Sequence, residues 1–135
     1  MSESETILVV DDETHILHVL SLKLRNAGFN VITAEDGEEG LSKALECHPD
    51  LVITDYQMPF MSGLDLCIKL KEQDETKNIP ALMLTARGFS LPEQYLEQTN
   101  IAGVLTKPFS PREVLGKVEA LLCDHCESYR SRVAS

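Results

Sequence analysis

The sequence predicts an α/β domain: a five-stranded parallel sheet covered on both faces by five helices. Three observations carry that expectation. Continuous apolar runs such as Ile7-Leu8-Val9-Val10 and Leu51-Val52-Ile53-Thr54 suit strands buried on both faces. Each run is followed by a stretch whose apolar residues recur at helical spacing or that opens with a capping signal. Strands that alternate with helices in this way build parallel sheets with right-handed crossovers.

The first strand, Ile7 to Val10, stops at the acids Asp11-Asp12-Glu13. From Glu13 to about Ala27, Ile16, Leu17, Leu20 and Leu24 form one helical face, and Gly28 closes the helix as a C′ glycine would. Phe29 to Ala34 reads as a second strand. Asp36-Gly37-Glu38-Glu39 is an N-cap with glutamate three residues on, opening a helix that turns Leu41, Ala44 and Leu45 inward. The central strand is the run from Leu51 to Asp55, bounded by Pro49 and Pro59. Ser62 caps a third helix whose expected inward stripe is Leu64, Cys67, Ile68 and the stem of Lys71.

Ile79 to Leu84 is the fourth strand, ending in Thr85-Ala86. Ser90-Leu91-Pro92-Glu93 has the S-x-x-E spacing that predicts a short helix up to about Gln98. Ile101 to Leu105 is the fifth strand, ending at Thr106-Lys107-Pro108. Ser110-Pro111-Arg112-Glu113 combines a cap, a proline at the first helical position and the reciprocal glutamate. Val114, Leu115, Val118, Leu121 and Leu122 then give an inward stripe, after which a polar tail begins that either extends the helix or frays.

At 135 residues the chain is one domain, with a core from about residue 1 to 123 and a tail from 124 to 135. The formal net charge of −10 argues against direct nucleic-acid contact, because the 12 lysines and arginines form no basic run. An acidic total fits either an ordinary solvated surface or carboxylates gathered around a divalent cation. The four cysteines, at 47, 67, 123 and 126, do not resemble a disulfide framework and point to a reducing compartment. Cys47 and Cys67 are expected to face inward on their helices as small apolar fillers, and Cys123-Asp124-His125-Cys126 makes at best half a zinc site. The N-terminus has no basic segment leading into an apolar core and no stretch approaches the length of a bilayer span, so a cytoplasmic protein is expected.

All strands of a parallel sheet end on one edge, and ligands of open α/β sheets bind along that edge. Asp11, Asp12, Asp55, Thr85 and Lys107 should therefore converge there, although each alone could merely cap a helix or a turn or stand in solvent. Three carboxylates in one cleft repel one another unless a cation neutralises them, and oxygen ligands select magnesium or a similar ion. A lysine and a hydroxyl beside them supply what a transferring phosphoryl group needs, with one carboxylate left to attack as nucleophile.

The set Asp11-Asp12, Asp55 with Met58-Pro59, Thr85-Ala86 and Lys107-Pro108-Phe109 resembles the receiver domain of two-component response regulators in order and spacing, over about residues 5 to 123. The resemblance implies a flavodoxin-like fold with strand order 2-1-3-4-5. It implies that Asp55 is the phospho-acceptor, that Asp12, Asp55 and the Gln57 main-chain carbonyl hold Mg2+ with Asp11 acting chiefly through water, and that Thr85 and Lys107 bind phosphoryl oxygens. The Lys107-Pro108 bond resembles the family's cis peptide. The implied partners are a histidine kinase or histidine phosphotransfer protein as donor and a downstream protein target or output domain as reader. Such a chain is a signalling switch that catalyses its own Mg2+-dependent phosphotransfer and dephosphorylation.

One position departs from the family pattern: Val104 stands three residues before the lysine, where an aromatic switch residue is usual. No output domain follows residue 123, so the chain resembles a stand-alone receiver or one from a larger regulator or hybrid kinase. Two other readings compete. Phosphatases that form an aspartyl phosphate place a second aspartate two residues after the nucleophile, where this chain has Gln57. A phosphorylation-independent receiver-like interaction module would not need every phosphorylation position filled.

Overall fold

A computed structural model of the protein describes residues 5–85 and 99–125. Its elements run β1 (Thr6–Val10), α1 (Thr14–Asn26), β2 (Asn30–Ala34), α2 (Gly37–Cys47), β3 (Leu51–Asp55), α3 (Gly63–Glu72), β4 (Ala81–Thr85), β5 (Ile101–Thr106) and α4 (Pro111–His125). The five strands form one sheet in the order β2-β1-β3-β4-β5, with every neighbouring pair parallel. This is the fold that the alternating pattern and the resemblance predict. The helix expected from Ser90 to about Gln98 lies outside the described residues.

The alternation of side chains along each strand divides the core into two layers. Ile7, Val9, Leu51, Ile53, Leu82 and Leu84 point to one face, where Leu17, Leu20 and Leu24 of α1 and Val114, Val118, Leu121 and Leu122 of α4 cover them. Leu8, Val10, Val52, Ala81 and Met83 point to the other, against Ala44 of α2 and Leu66, Cys67 and Leu70 of α3. Because β1, β3 and β4 are buried on both faces, their sequences are unbroken apolar runs rather than alternating ones. Together the two layers seal the sheet and leave its carboxyl edge open for polar groups.

Several helix ends follow the capping rules closely. Gly28, at φ +104°, closes α1 in a Schellman arrangement: its N–H donates to the Arg25 carbonyl at 3.0 Å and that of Phe29 to the Leu24 carbonyl at 3.1 Å. Asp36 caps α2 by accepting from the Glu39 N–H at 2.8 Å. The Glu39 carboxylate reaches past Asp36 to the N–H of Glu35, also at 2.8 Å. Ser110 and Glu113 exchange side-chain and main-chain hydrogen bonds at 3.1 and 2.8 Å, as the S-x-x-E spacing requires.

Several details correct the sequence expectation. The buried line of α3 is Gly63, Leu66, Cys67 and Leu70, with Leu64 and Ile68 only half-buried. Lys71 lies exposed and donates to the Asn100 side chain at 2.9 Å instead of laying its stem inward. The third helix also carries a full capping box, because Asp65 answers Ser62. Cys67 is buried as expected, but Cys47 is exposed at the last turn of α2. Leu41 and Leu45 are half-buried, and Ala44 alone of the three is fully enclosed. Strand β4 begins at Ala81 because Pro80 has no N–H for the ladder; its carbonyl still accepts from Val52 at 3.0 Å. Helix α4 continues past Leu122 to His125.

Candidate functional site

Strand β1 ends at Val10, and the next residue, Asp11, extends the pairing by one step: its N–H donates to the Ala34 carbonyl at 3.1 Å. That anchors a carboxylate with no exposed surface at the sheet edge. Its Oδ1 accepts the Glu13 N–H at 2.9 Å, while Oδ2 is buried with no hydrogen-bond partner among the described residues. Asp12, one residue on, is exposed. Asp55 is the last residue of β3 and only 4% exposed. One carboxylate oxygen from each of Asp11, Asp12 and Asp55 lies within 4.8 Å of the others.

The cation that faces them comes from the far side of the cleft. Thr85 ends β4, and its carbonyl accepts the Lys107 N–H at 2.7 Å, which brings the segment after β5 back over the edge. The Lys107 ammonium lies 2.8 Å from Asp55 Oδ1 and 3.9 Å from Glu13 Oε1. The Lys107-Pro108 peptide is cis, as the resemblance implies. The Thr85 hydroxyl is buried and has no hydrogen-bond partner among the described residues. Gln57 sits exposed in the loop that follows β3.

Burial and charge together set the site's titration. Burial is the main cause that raises the Asp11 pKa to about 7; the Asp55 charge adds to it, and the Glu13 N–H opposes it. Burial likewise raises Asp55 above the usual carboxylate range, although the Lys107 ammonium pulls the other way. For Lys107, burial alone lowers the pKa, but the hydrogen bond and charge of Asp55 outweigh it and the net shift is upward. The cleft holds three clustered carboxylates against one lysine.

The structure thus brings together Asp11, Asp12, Asp55 and Lys107, with Thr85 at the neighbouring strand end. It adds Glu13, which the sequence marks as the third acid of a run and the start of the first helix. The available signal was a glutamate where a short capping side chain belongs. Val104, three residues before Lys107, is 37% exposed on β5.

The sequence profile of the response regulator receiver domain matches residues 7–119. The chain belongs to that family. It is 41% identical over 119 residues to the alkaline phosphatase synthesis transcriptional regulatory protein PhoP of Bacillus subtilis, a match covering 88% of this chain and 49% of that protein. It is 35% identical to the phosphate regulon transcriptional regulatory protein PhoB of Pseudomonas aeruginosa, covering 87% of this chain and 52% of PhoB. The chain spans about half the length of the curated relatives it matches. Among solved structures, the chemotaxis protein CheY4 of Vibrio cholerae superposes with a TM-score of 0.79 at 35% identity, covering 87% of this chain and 98% of CheY4. Receiver domains are signalling switches of two-component systems. They work with histidine kinases or phosphotransfer proteins and bind Mg2+ at an acidic site, and this receiver carries such an acidic group. No helix among the described residues is long and apolar enough to cross a membrane.

Proposed function

We propose that this receiver is a phospho-accepting switch in which Asp55 takes a phosphoryl group from a histidine kinase or histidine phosphotransfer protein. The observation that carries the proposal is the Lys107 ammonium 2.8 Å from Asp55 Oδ1, in a cleft shared with Asp11 and Asp12. An oxygen of Asp55 attacks phosphorus, the bond from phosphorus to the donor breaks, and its electron pair leaves with the donor. Lys107 can turn toward phosphoryl oxygens by exchanging one partner for another, and the Thr85 hydroxyl, which has no hydrogen-bond partner among the described residues, can turn there too. Dephosphorylation runs by attack of water on phosphorus, with the electron pair of the broken bond returning to the Asp55 carboxylate.

The residues present fit a magnesium ion. The orphaned Asp11 Oδ2, the clustered carboxylates and the all-oxygen donor set favour a hard cation, which Asp11, Asp12, Asp55 and the Gln57 main-chain carbonyl would hold. Bound there, it would neutralise the carboxylates and the charge that builds on the phosphoryl oxygens. We assign residues 1–123 to the receiver unit and 124–135 to its tail, place the protein in the cytoplasm, and take a downstream protein or output domain as the reader of its state. The chain acts on itself rather than turning over a separate substrate. Intact-mass labelling with acetyl phosphate tests the reading: one phosphoryl group on Asp55, dependent on Mg2+, is expected. Label elsewhere, or none, overturns it in favour of a phosphorylation-independent interaction module.

A further inference from the structure

Glu13 is the N-cap residue of α1, yet its side chain makes no capping hydrogen bond. Short polar side chains lead at this position because they reach back to the first-turn N–H groups, and glutamate is outside that set. No acidic residue in the first turn of α1 complements the helix dipole in its place. Instead the Glu13 carboxylate faces Lys107 at 3.9 Å, while the same ammonium touches Asp55 at 2.8 Å. The main chain of Glu13 is tied in as well, through its N–H on Asp11 Oδ1 at 2.9 Å. A residue that forgoes its local role to stand against the site's lysine breaks a local rule where function resides.

We propose that Glu13 is a positioning residue that brakes phosphoryl transfer by holding the Lys107 ammonium back from the incoming phosphoryl group. The proposal rests on Asp55 as phospho-acceptor. With acetyl phosphate, an Asp55 oxygen forms a bond to phosphorus as the acyl oxygen–phosphorus bond breaks and its electron pair leaves with acetate. During that step Lys107 must turn toward a phosphoryl oxygen an ammonium that now hydrogen-bonds Asp55 and faces the Glu13 charge. Glu13, 3.9 Å away, attracts the ammonium by charge without hydrogen-bonding it, so its effect passes through Lys107; simple repulsion of an anionic donor would not. The Glu13 and Lys107 side chains are 61% and 32% exposed, so water screens the pair. Its weight is that of a surface ion pair, a factor of about two to five in rate, and added salt weakens it.

The experiment is the rate of Asp55 labelling by acetyl phosphate at saturating Mg2+, read by intact mass. Glu13→Gln is expected to label about two to five times faster at low salt, with the gain shrinking as salt rises. Glu13→Asp keeps the charge, is one methylene shorter and is a good N-cap. It is expected to label as fast as Glu13→Gln while melting above the wild type, which separates the brake from helix stability. In a Lys107→Ala background, adding Glu13→Gln is expected to leave the rate unchanged. The brake is overturned by a Glu13→Gln protein no faster than wild type, by Glu13→Asp at the wild-type rate, or by a gain that survives without Lys107. A wild-type protein that takes no label at Asp55 overturns the acceptor assignment and the brake together; any of the other results beside normal Asp55 labelling overturns the brake alone.

Discussion

A β-carbon on Gly63 would press into the main-chain carbonyl oxygen of Asp55, well inside van der Waals contact, and would lie 3.0 Å from the Met83 sulfur. The first residue of α3 therefore abuts the backbone that carries the candidate acceptor. Its N–H also donates to the Tyr56 carbonyl at 2.9 Å. Backbone cannot swing aside as a side chain does, so Gly63→Ala is expected to cost about 1–3 kcal/mol through overpacking. It should also slow Asp55 labelling by more than the unfolded fraction explains. Urea unfolding and acetyl phosphate labelling on the same protein check both, and a wild-type midpoint with wild-type labelling contradicts the expectation.

Magnesium should offset the pH dependence of stability that the buried carboxyls impose. Burial raises the Asp11 pKa from 3.8 to about 7 and raises Asp55 in the same direction. A carboxyl raised in the folded state binds more protons folded than unfolded. Its contribution is thus full below the unfolded pKa and is lost as pH rises through the folded one. Without metal, these two groups weaken the fold as pH climbs from about 4 to about 7. Magnesium requires the ionised forms, so its benefit runs the other way, reaching about 2.7 kcal/mol at a hundred times its Kd and fading as pH falls. Thermal melts at pH 8 and pH 5 should show a large magnesium shift at the first and a small one at the second. An equal shift at both contradicts the assignment.

The sheet was legible because burial on both faces leaves an unmistakable mark: Ile7-Leu8-Val9-Val10 has no polar position to lose. The site was legible for a related reason, since parallel strands all end at one edge and the acids stood at those ends. Helix faces were harder. In α3, Leu64 and Ile68 define one apolar line and Leu66 and Leu70 another, and only contact with β3 and β4 shows that the second is inward. Cys47 and Cys67 are the same residue type on neighbouring helices, and packing alone separates the exposed one from the buried one. Glu13 escaped because its role lies in where a long side chain turns, which strand-end reasoning does not encode.

Asp55→Asn is expected to abolish acetyl phosphate labelling, because an amide is no nucleophile for phosphorus. Lys107→Ala should still take label, more slowly, but should fail to pass the signal on. It removes the charge that reads the phosphoryl group rather than the atom that accepts it. Labelling kinetics beside a beryllofluoride-dependent partner-binding assay separate the two effects. Label that persists in Asp55→Asn would move the acceptor to another residue.

The last prediction concerns how the signal leaves the site. Phosphorylation should draw the Thr85 hydroxyl, which has no hydrogen-bond partner among the described residues, toward the new oxygens, emptying space at the end of β4. In receivers with an aromatic residue three positions before the lysine, a ring can swing into such a space. Val104 has one stiff torsion, little volume and a side of β5 that is already 37% exposed, so its rotation changes little packing. The response should then pass chiefly into the chain that follows Thr85, residues that lie outside those described and whose sequence, Ala86-Arg87-Gly88-Phe89-Ser90, includes a glycine. Hydrogen exchange with and without beryllofluoride is expected to differ most across residues 86–92 and only slightly across 101–105. A change at 101–105 as large as that at 86–92 would show that β5 carries the signal without an aromatic switch, and that Val104 does not limit it.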